Sequence, residues 1–175
     1  MAINIYGSCS GSSGSKYDLW LNVKQNSQSI EDNKSNVTLK LLLKRNDGYS
    51  ASAYNLTESS NSVILKVGGK EKVNKNLTID TRNGVTVTLA SWTGDVTHET
   101  DGTLSLSVSG SFTMGGTSLS GGSVSSSFEC TDIPRASSLS LSKSSLNPED
   151  TVGATLSVAS ESFNHKIKWS LGESS

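Results

Sequence analysis

Apolar and polar residues alternate along most of the chain with a period of two, the spacing that puts every second side chain of a strand on one face. Tyr17, Leu19, Leu21 and Val23 alternate with Asp18, Trp20, Asn22 and Lys24, and Val37, Leu39, Leu41 and Leu43 alternate with Thr38, Lys40, Leu42 and Lys44. Asn46-Asp47-Gly48 comes next as a hairpin-turn signal. Further strands are predicted at 3–5, 51–56, 63–67 (closed by Gly68-Gly69), 85–89 (after Asn83-Gly84), 104–112 (after Asp101-Gly102) and 124–128. Gly7 to Ser15 reads as a Gly/Ser-rich loop. No window of eleven residues keeps the i, i+3, i+4, i+7 pattern of a helix, so almost no helix is expected.

This rhythm predicts an all-β protein, an antiparallel β-sandwich of about seven to nine strands. The spacing does not choose between jelly-roll and immunoglobulin-like strand order. The expected core is Leu19, Leu21, Val23, Leu39, Leu41, Leu43, Val63, Leu65, Val87, Leu89, Leu104, Leu106, Val108 and Phe112. Pro134 cannot donate to a ladder and holds Ile133 out of helical geometry, so the chain divides there. The sandwich is expected over 1–132, a linker over 133–137, and the start of a second, immunoglobulin-like β domain over 138–175. Leu139, Leu141 and Leu146, then Val152 to Val158, then Ile167, Trp169 and Leu171 suggest its strands, with Asn147-Pro148-Glu149-Asp150 as a turn. A segment below about 40 residues rarely supports its own core. The second domain is therefore expected to be incomplete, and the chain to be the N-terminal part of a longer polypeptide.

Charge and composition narrow the function. Fifteen Lys and Arg against sixteen Asp and Glu leave a net −1, so no overall field draws the protein to nucleic acid or to a membrane. Apolar residues are 33% and charged ones 18%, and 36 Ser fill the gap. With so little net charge and many β-branched residues, this describes a folded protein with a hydroxyl-rich surface. The longest apolar run, around Leu41 to Leu43, is far short of the roughly 20 residues that cross a bilayer. Met1 to Tyr6 has neither a basic n-region nor an apolar h-region, so no signal peptide is expected. Cys9 and Cys130 are expected as free thiols of a chain made in a reducing cytosol, with a disulfide as the alternative.

Candidate chemistry is sparse. His98 and His165 fall in different predicted domains, and one His with one Cys lacks the ligands zinc requires. No catalytic residue, metal site or cofactor is expected. Gly7-Ser8-Cys9-Ser10-Gly11 has the spacing of a nucleophile elbow without the helix that should come after it, and the Gly-rich phosphate motifs are absent. Asp95, His98, Glu99 and Asp101 read as a polar hairpin turned by Asp101-Gly102 and capped locally by His98, with calcium as the alternative. Lys66, Lys70, Lys72 and Lys75 read as charges that protect a sheet edge. Aromatic residues are the remaining signal. Trp20 and Tyr54 have the opposite parity to the apolar residues of their strands, and Tyr49 and Trp92 lie next to turns. An exposed ring stacks on the apolar face of a pyranose while Asn, Asp and Ser meet its hydroxyls. Trp20, Tyr49, Tyr54 and Trp92 are thus the candidate ligand-binding residues, with core packing as the alternative for Trp20 and Trp92.

The succession Trp20, Gln28-Ser29-Ile30, Asn33 to Thr38, Tyr54-Asn55, Val96-Thr97-His98 and Asp101-Gly102-Thr103 resembles an uncharacterised tail or baseplate protein family of siphophages that infect Gram-positive bacteria. Ile133 to Ser137 and Ser162 to Ile167 resemble its domain junction and the opening of its next domain. The likeness spans nearly the whole chain and departs at Val67-Gly68-Gly69, where Asp-Gly is expected, and in the shortened second domain. The resemblance implies a virion structural protein of the tail tip or baseplate, synthesised in the host cytoplasm. It also implies other phage tail proteins as partners and host cell-wall polysaccharide as the ligand of a non-catalytic carbohydrate-binding or host-adsorption module. The alternative is a purely architectural tail spacer or docking domain. A wall hydrolase would need paired carboxylates facing one cleft, which no spacing here supplies.

Overall fold

The computed structural model describes residues 2–46, 61–77, 79–81, 85–116, 118–144, 147 and 149–158. Among these the secondary structure is strand, apart from a three-residue 3-10 turn at Gly14–Lys16. The chain divides into two compact units, Met1–Asp132 and Ile133–Ser175.

The first unit is an antiparallel β-sandwich. Its strands are β1 (Ala2–Tyr6), β2 (Ser8–Ser10), β3 (Tyr17–Ser29), β4 (Lys34–Arg45), β5 (Ser62–Val67), β6 (Lys70–Asn76), β7 (Thr86–Thr97), β8 (Ser105–Thr113) and β9 (Gly121–Glu129). One sheet has the order β1-β3-β4-β7 and the other β2-β9-β8-β5-β6. The alternating leucines and valines of β3 and β4 turn inward and meet those of β5 and β8. Every residue expected in the core is buried except Val87, which is half-buried against it. The sheets approach closely enough that a Cβ on Gly110 would stand 2.9 Å from Leu41 Cδ1 of the facing sheet. The core also takes in Leu77, Ile79, Met114 and Leu119, which lie outside the strands and carry no alternation to announce them.

Three local features depart from the sequence pattern. The segment read as a Gly/Ser loop contains β2, which pairs Ser8–Ser10 with Gly121–Ser123 of β9, and then the 3-10 turn. Gly7 lets one strand pass from the first sheet to the second, because a Cβ there would meet the Ser123 carbonyl oxygen at 2.3 Å. Strand β6 is absent from the expected set; only Val73 among its seven residues is even half-buried, so it shows no period of two. It is the outer half of a hairpin turned at Gly68 and Gly69, whose φ values of +57° and +74° are left-handed, as a tight I′ turn requires. Its lysines stand on a sheet edge, as expected for edge protection. The predicted strand at 51–56 and the turns at Asp47-Gly48 and Asn83-Gly84 lie outside the described residues.

The second unit contains β10 (Ala136–Leu141) paired antiparallel with β11 (Ala154–Val158). Strand β10 begins at Ala136, inside the stretch read as a linker. Asp150 closes the turn between the strands, accepting from the Asn147 backbone N–H (2.9 Å) and from Lys143 Nζ (2.7 Å). These contacts, Lys143 first, hold the Asp150 carboxyl below its ordinary range. The strand expected around Ile167 to Leu171 lies outside the described residues.

Candidate functional site

The outward face of the β1-β3-β4-β7 sheet carries a row of three large apolar side chains. Tyr6 of β1 opposes Trp20 of β3, Trp20 opposes Leu42 of β4, and Leu42 opposes Thr88 of β7. Their strand neighbours Leu19, Leu21, Leu41 and Leu43 are buried, so the row points away from the core. Tyr6 is 73% exposed, and Trp20 and Leu42 are half-buried. The rows on either side are polar. Asn4, Asn22, Lys40 and Ser91 flank it on one side, and Asp18, Lys44 and Thr86 on the other. Asn22 Nδ2 donates to Asn4 Oδ1 (2.7 Å), and Asn46 Nδ2 donates to Asp18 Oδ1 (2.9 Å). Sequence reasoning singles out Trp20 and misses Tyr6 and Leu42. The signal for Tyr6 is the parity of β1, where Ile3 and Ile5 turn inward and leave Tyr6 outside.

Toward the β3–β4 hairpin the same face becomes a hydrogen-bonded polar net. Asn26 Nδ2 donates to Asn36 Oδ1 (2.9 Å) and Thr38 Oγ1 (2.8 Å), Asn36 Nδ2 donates to Asp95 Oδ1 (2.6 Å), and Thr38 Oγ1 lies 2.7 Å from Thr93 Oγ1. A hollow of about 240 Å³ opens there, lined by residues that include Ser29, Asp32, Lys34, Asn36 and Asp95.

The other aromatic candidates are placed differently. Trp92 is on β7, where a bulge inserts Leu89 between the pairs Leu41–Ala90 and Leu42–Thr88. The extra residue reverses the parity of the rest of the strand, so Trp92 turns inward and packs half-buried against the core. Lys72 Nζ of β6 stands 5.3 Å from the centre of its ring. The Trp92 side chain closes the sandwich between its edge strands β6 and β7. Tyr49 and Tyr54 lie outside the described residues.

Ser35 Oγ and His98 Nε2 are 2.7 Å apart, the geometry of a nucleophile and its base. His98 Nδ1 faces the Gly102 carbonyl at 2.7 Å, which can only accept, so Nδ1 carries a proton and donates it there, while Nε2 shares its hydrogen bond with the Ser35 hydroxyl. Gln25 Nε2 donates to Ser35 Oγ (2.9 Å), and Gln25 Oε1 accepts from the Thr131 N–H (2.9 Å). Ser35 and His98 are 0% and 3% exposed, so no substrate carbonyl reaches Oγ. The chain of bonds instead ties β3, β4, the turn before β8 and the segment after β9. That turn is made by Asp101, whose carboxylate accepts from the Thr103 N–H (2.9 Å) and hydroxyl (2.7 Å). Cys9 and Cys130 are free thiols. Burial, with Asp18 near Cys9 and Glu129 near Cys130, pushes both up to about 11, which leaves them protonated and poorly nucleophilic at neutral pH. No group of three or more His, Cys, Asp or Glu is placed to hold a metal among the described residues.

A family model described as siphovirus protein of unknown function (DUF859) matches residues 9–175. The chain belongs to that siphovirus family. Membership supports a structural protein of the phage, as the resemblance implied. No curated protein and no solved structure matches the chain.

Proposed function

We propose that this siphovirus protein is a tail or baseplate module that holds the phage to polysaccharide of the host cell wall, and that the Tyr6–Trp20–Leu42 face of the first sheet makes the contact. The observation that carries this reading is the placing of two aromatic rings and a leucine in one outward cross-strand row, on a face otherwise dominated by Asn, Ser, Thr, Lys and Asp. Within the sheet an exposed tyrosine beside a half-buried tryptophan contributes only a cross-strand pair, worth about 0.2–1 kcal/mol. Stacked on sugar rings, the same pair buries apolar surface at roughly 25 cal/mol per Å², and the amides of Asn4 and Asn22 lie next to it to meet hydroxyl groups.

The test is co-sedimentation of the full chain with purified walls of the host bacterium. The wild type is expected to pellet, and Trp20→Ala and Tyr6→Ala to remain in solution while keeping one cooperative unfolding transition and the wild type's β-type circular dichroism. A wild type that stays in solution overturns adsorption and leaves the architectural reading. Retention of both variants on the walls moves the contact off this face.

A further inference from the structure

We infer that the polymer gripped by the Trp20 face is anionic, a polyhydroxylated chain joined by phosphodiesters rather than a neutral glycan. The inference rests on the function proposed above and adds the chemical class of the ligand.

Its basis is where the charges stand. The whole chain carries −1, yet the outward positions around the aromatic row hold Lys24, Lys40 and Lys44 against a single carboxylate among the described residues, Asp18. Asp18 opposes Lys44 and accepts from Asn46. Lys24 and Lys40 are exposed, and among the described residues neither has a hydrogen bond or an ion pair. Edge protection accounts for the lysines of β6 but not for these, because β3 and β4 are the two inner strands of their sheet. Asp32 and Asp95 lie toward the hairpin. Asp95 opposes Asn36, two residues along β4 from Thr38, the partner of Lys24, and its carboxylate accepts from Asn36 Nδ2 at 2.6 Å. From Leu42 to Asn36 is six residues, roughly 20 Å at about 3.3 Å each, more than twice the screening length of about 8 Å at physiological salt. The aromatic end of the face is therefore locally positive. It combines rings for the carbon faces of a polyol, amides for its hydroxyls, and ammonium groups for phosphodiester oxygens. A neutral polymer would use the first two and leave the two lysines idle.

The probes are host walls in two forms, intact and stripped of phosphate-containing polymer by hydrofluoric acid. The full chain is expected to bind intact walls and to lose binding on stripped ones. Two phosphate contacts predict about a tenfold weakening between 50 and 200 mM salt, by release of counterions. The double variant Lys24→Glu, Lys40→Glu should lose about tenfold in affinity at low salt along with most of that salt dependence. Lys24→Gln, Lys40→Gln serves the same purpose should the reversed charges unsettle the sheet. Lys70→Glu, Lys75→Glu on the edge strand should bind as the wild type does, which separates a local site from general attraction between charges. Equal binding to stripped and intact walls, or equal losses from the two double glutamate variants, overturns the inference. If Trp20→Ala abolishes binding while stripping changes nothing, only the anionic ligand falls and adsorption stands. A wild type that binds neither preparation removes both.

Discussion

His98 is the most constrained polar side chain of the sandwich, because each of its ring nitrogens has one partner and the ring is buried from water. Removing the ring leaves the Ser35 hydroxyl and the Gly102 carbonyl buried without it, at about 1–3 kcal/mol for each group stranded. His98→Ala should lower the unfolding free energy by about that amount per group, and Ser35→Ala comparably, since alanine strands Gln25 Nε2 and the ring. Because they share one bond, the double variant should lose less than the sum, as a urea-denaturation cycle would show; strict additivity would mean that the 2.7 Å contact carries no energy. The thiols give a prediction in pH. Cys9 and Cys130 have an ordinary value of 9.0 and about 11 in the fold. A folded value raised above the unfolded one contributes stability that is whole below pH 9 and is lost as pH rises through about 11. The urea midpoint of the wild type should therefore fall more between pH 9 and 11 than that of Cys9→Ser, Cys130→Ser. Parallel profiles would show that the thiols are not held protonated by the fold.

Gly7 decides whether β1 and β2 act as one strand shared by two sheets. A methyl group there would meet the Ser123 carbonyl oxygen at 2.3 Å and Val124 Cβ at 2.7 Å, and the Gly7 N–H is held by the Leu19 carbonyl at 2.9 Å. Gly7→Ala must push β9 away and should cost about 1–3 kcal/mol or more, read as a fall in the urea midpoint; a midpoint within error of wild type would show that the crossing is loose. The crossing also marks where reading from sequence stops. Strands β3, β4 and β8 are legible because their alternation is long and one-sided, and burial on one face is what alternation encodes. Strand β2 is too short to show a period, and β6 buries too little. Trp92 is ambiguous for a different reason: counting by twos from Val87 and Leu89 leaves its side of the sheet to the bulge at Leu89, a pairing event with no signature in composition, and the bulge turns it in. Trp20 sits on a strand whose alternation is unbroken up to Gln25, so its outward parity can be counted directly. Its partner Tyr6 comes from β1, and the register that joins them is a tertiary fact.

At the scale of the molecule, the two outer faces of the sandwich differ in kind. On the β8–β9 side Ser107 opposes Ser127, Ser109 opposes Ser125 and Ser111 opposes Ser123, so the serine-rich composition is spent on a hydroxyl pavement, bordered by Glu129 opposite Ser105 and by Lys66 opposite Ser109. Rings and the ammonium groups of Lys24 and Lys40 gather on the β1–β3–β4 side. This asymmetry needs only the first unit, whose core is drawn from all its long strands. In the second unit Leu139 and Leu141 are each 52% exposed on a described pair of strands, and two strands alone are marginal in water. The boundary must respect Thr131, whose N–H meets Gln25 and whose carbonyl accepts from Gln28. A chain ending at Arg135, ahead of β10, keeps both bonds and should unfold in one cooperative transition with the β-type circular dichroism of the full chain. It should also pellet with host walls if the full chain does, since Tyr6, Trp20, Leu42, Lys24 and Lys40 all remain. If the shortened chain folds but no longer binds, the contact needs residues beyond the sandwich; if it does not fold, the core between the two sheets is not sufficient and the second unit is part of what holds it.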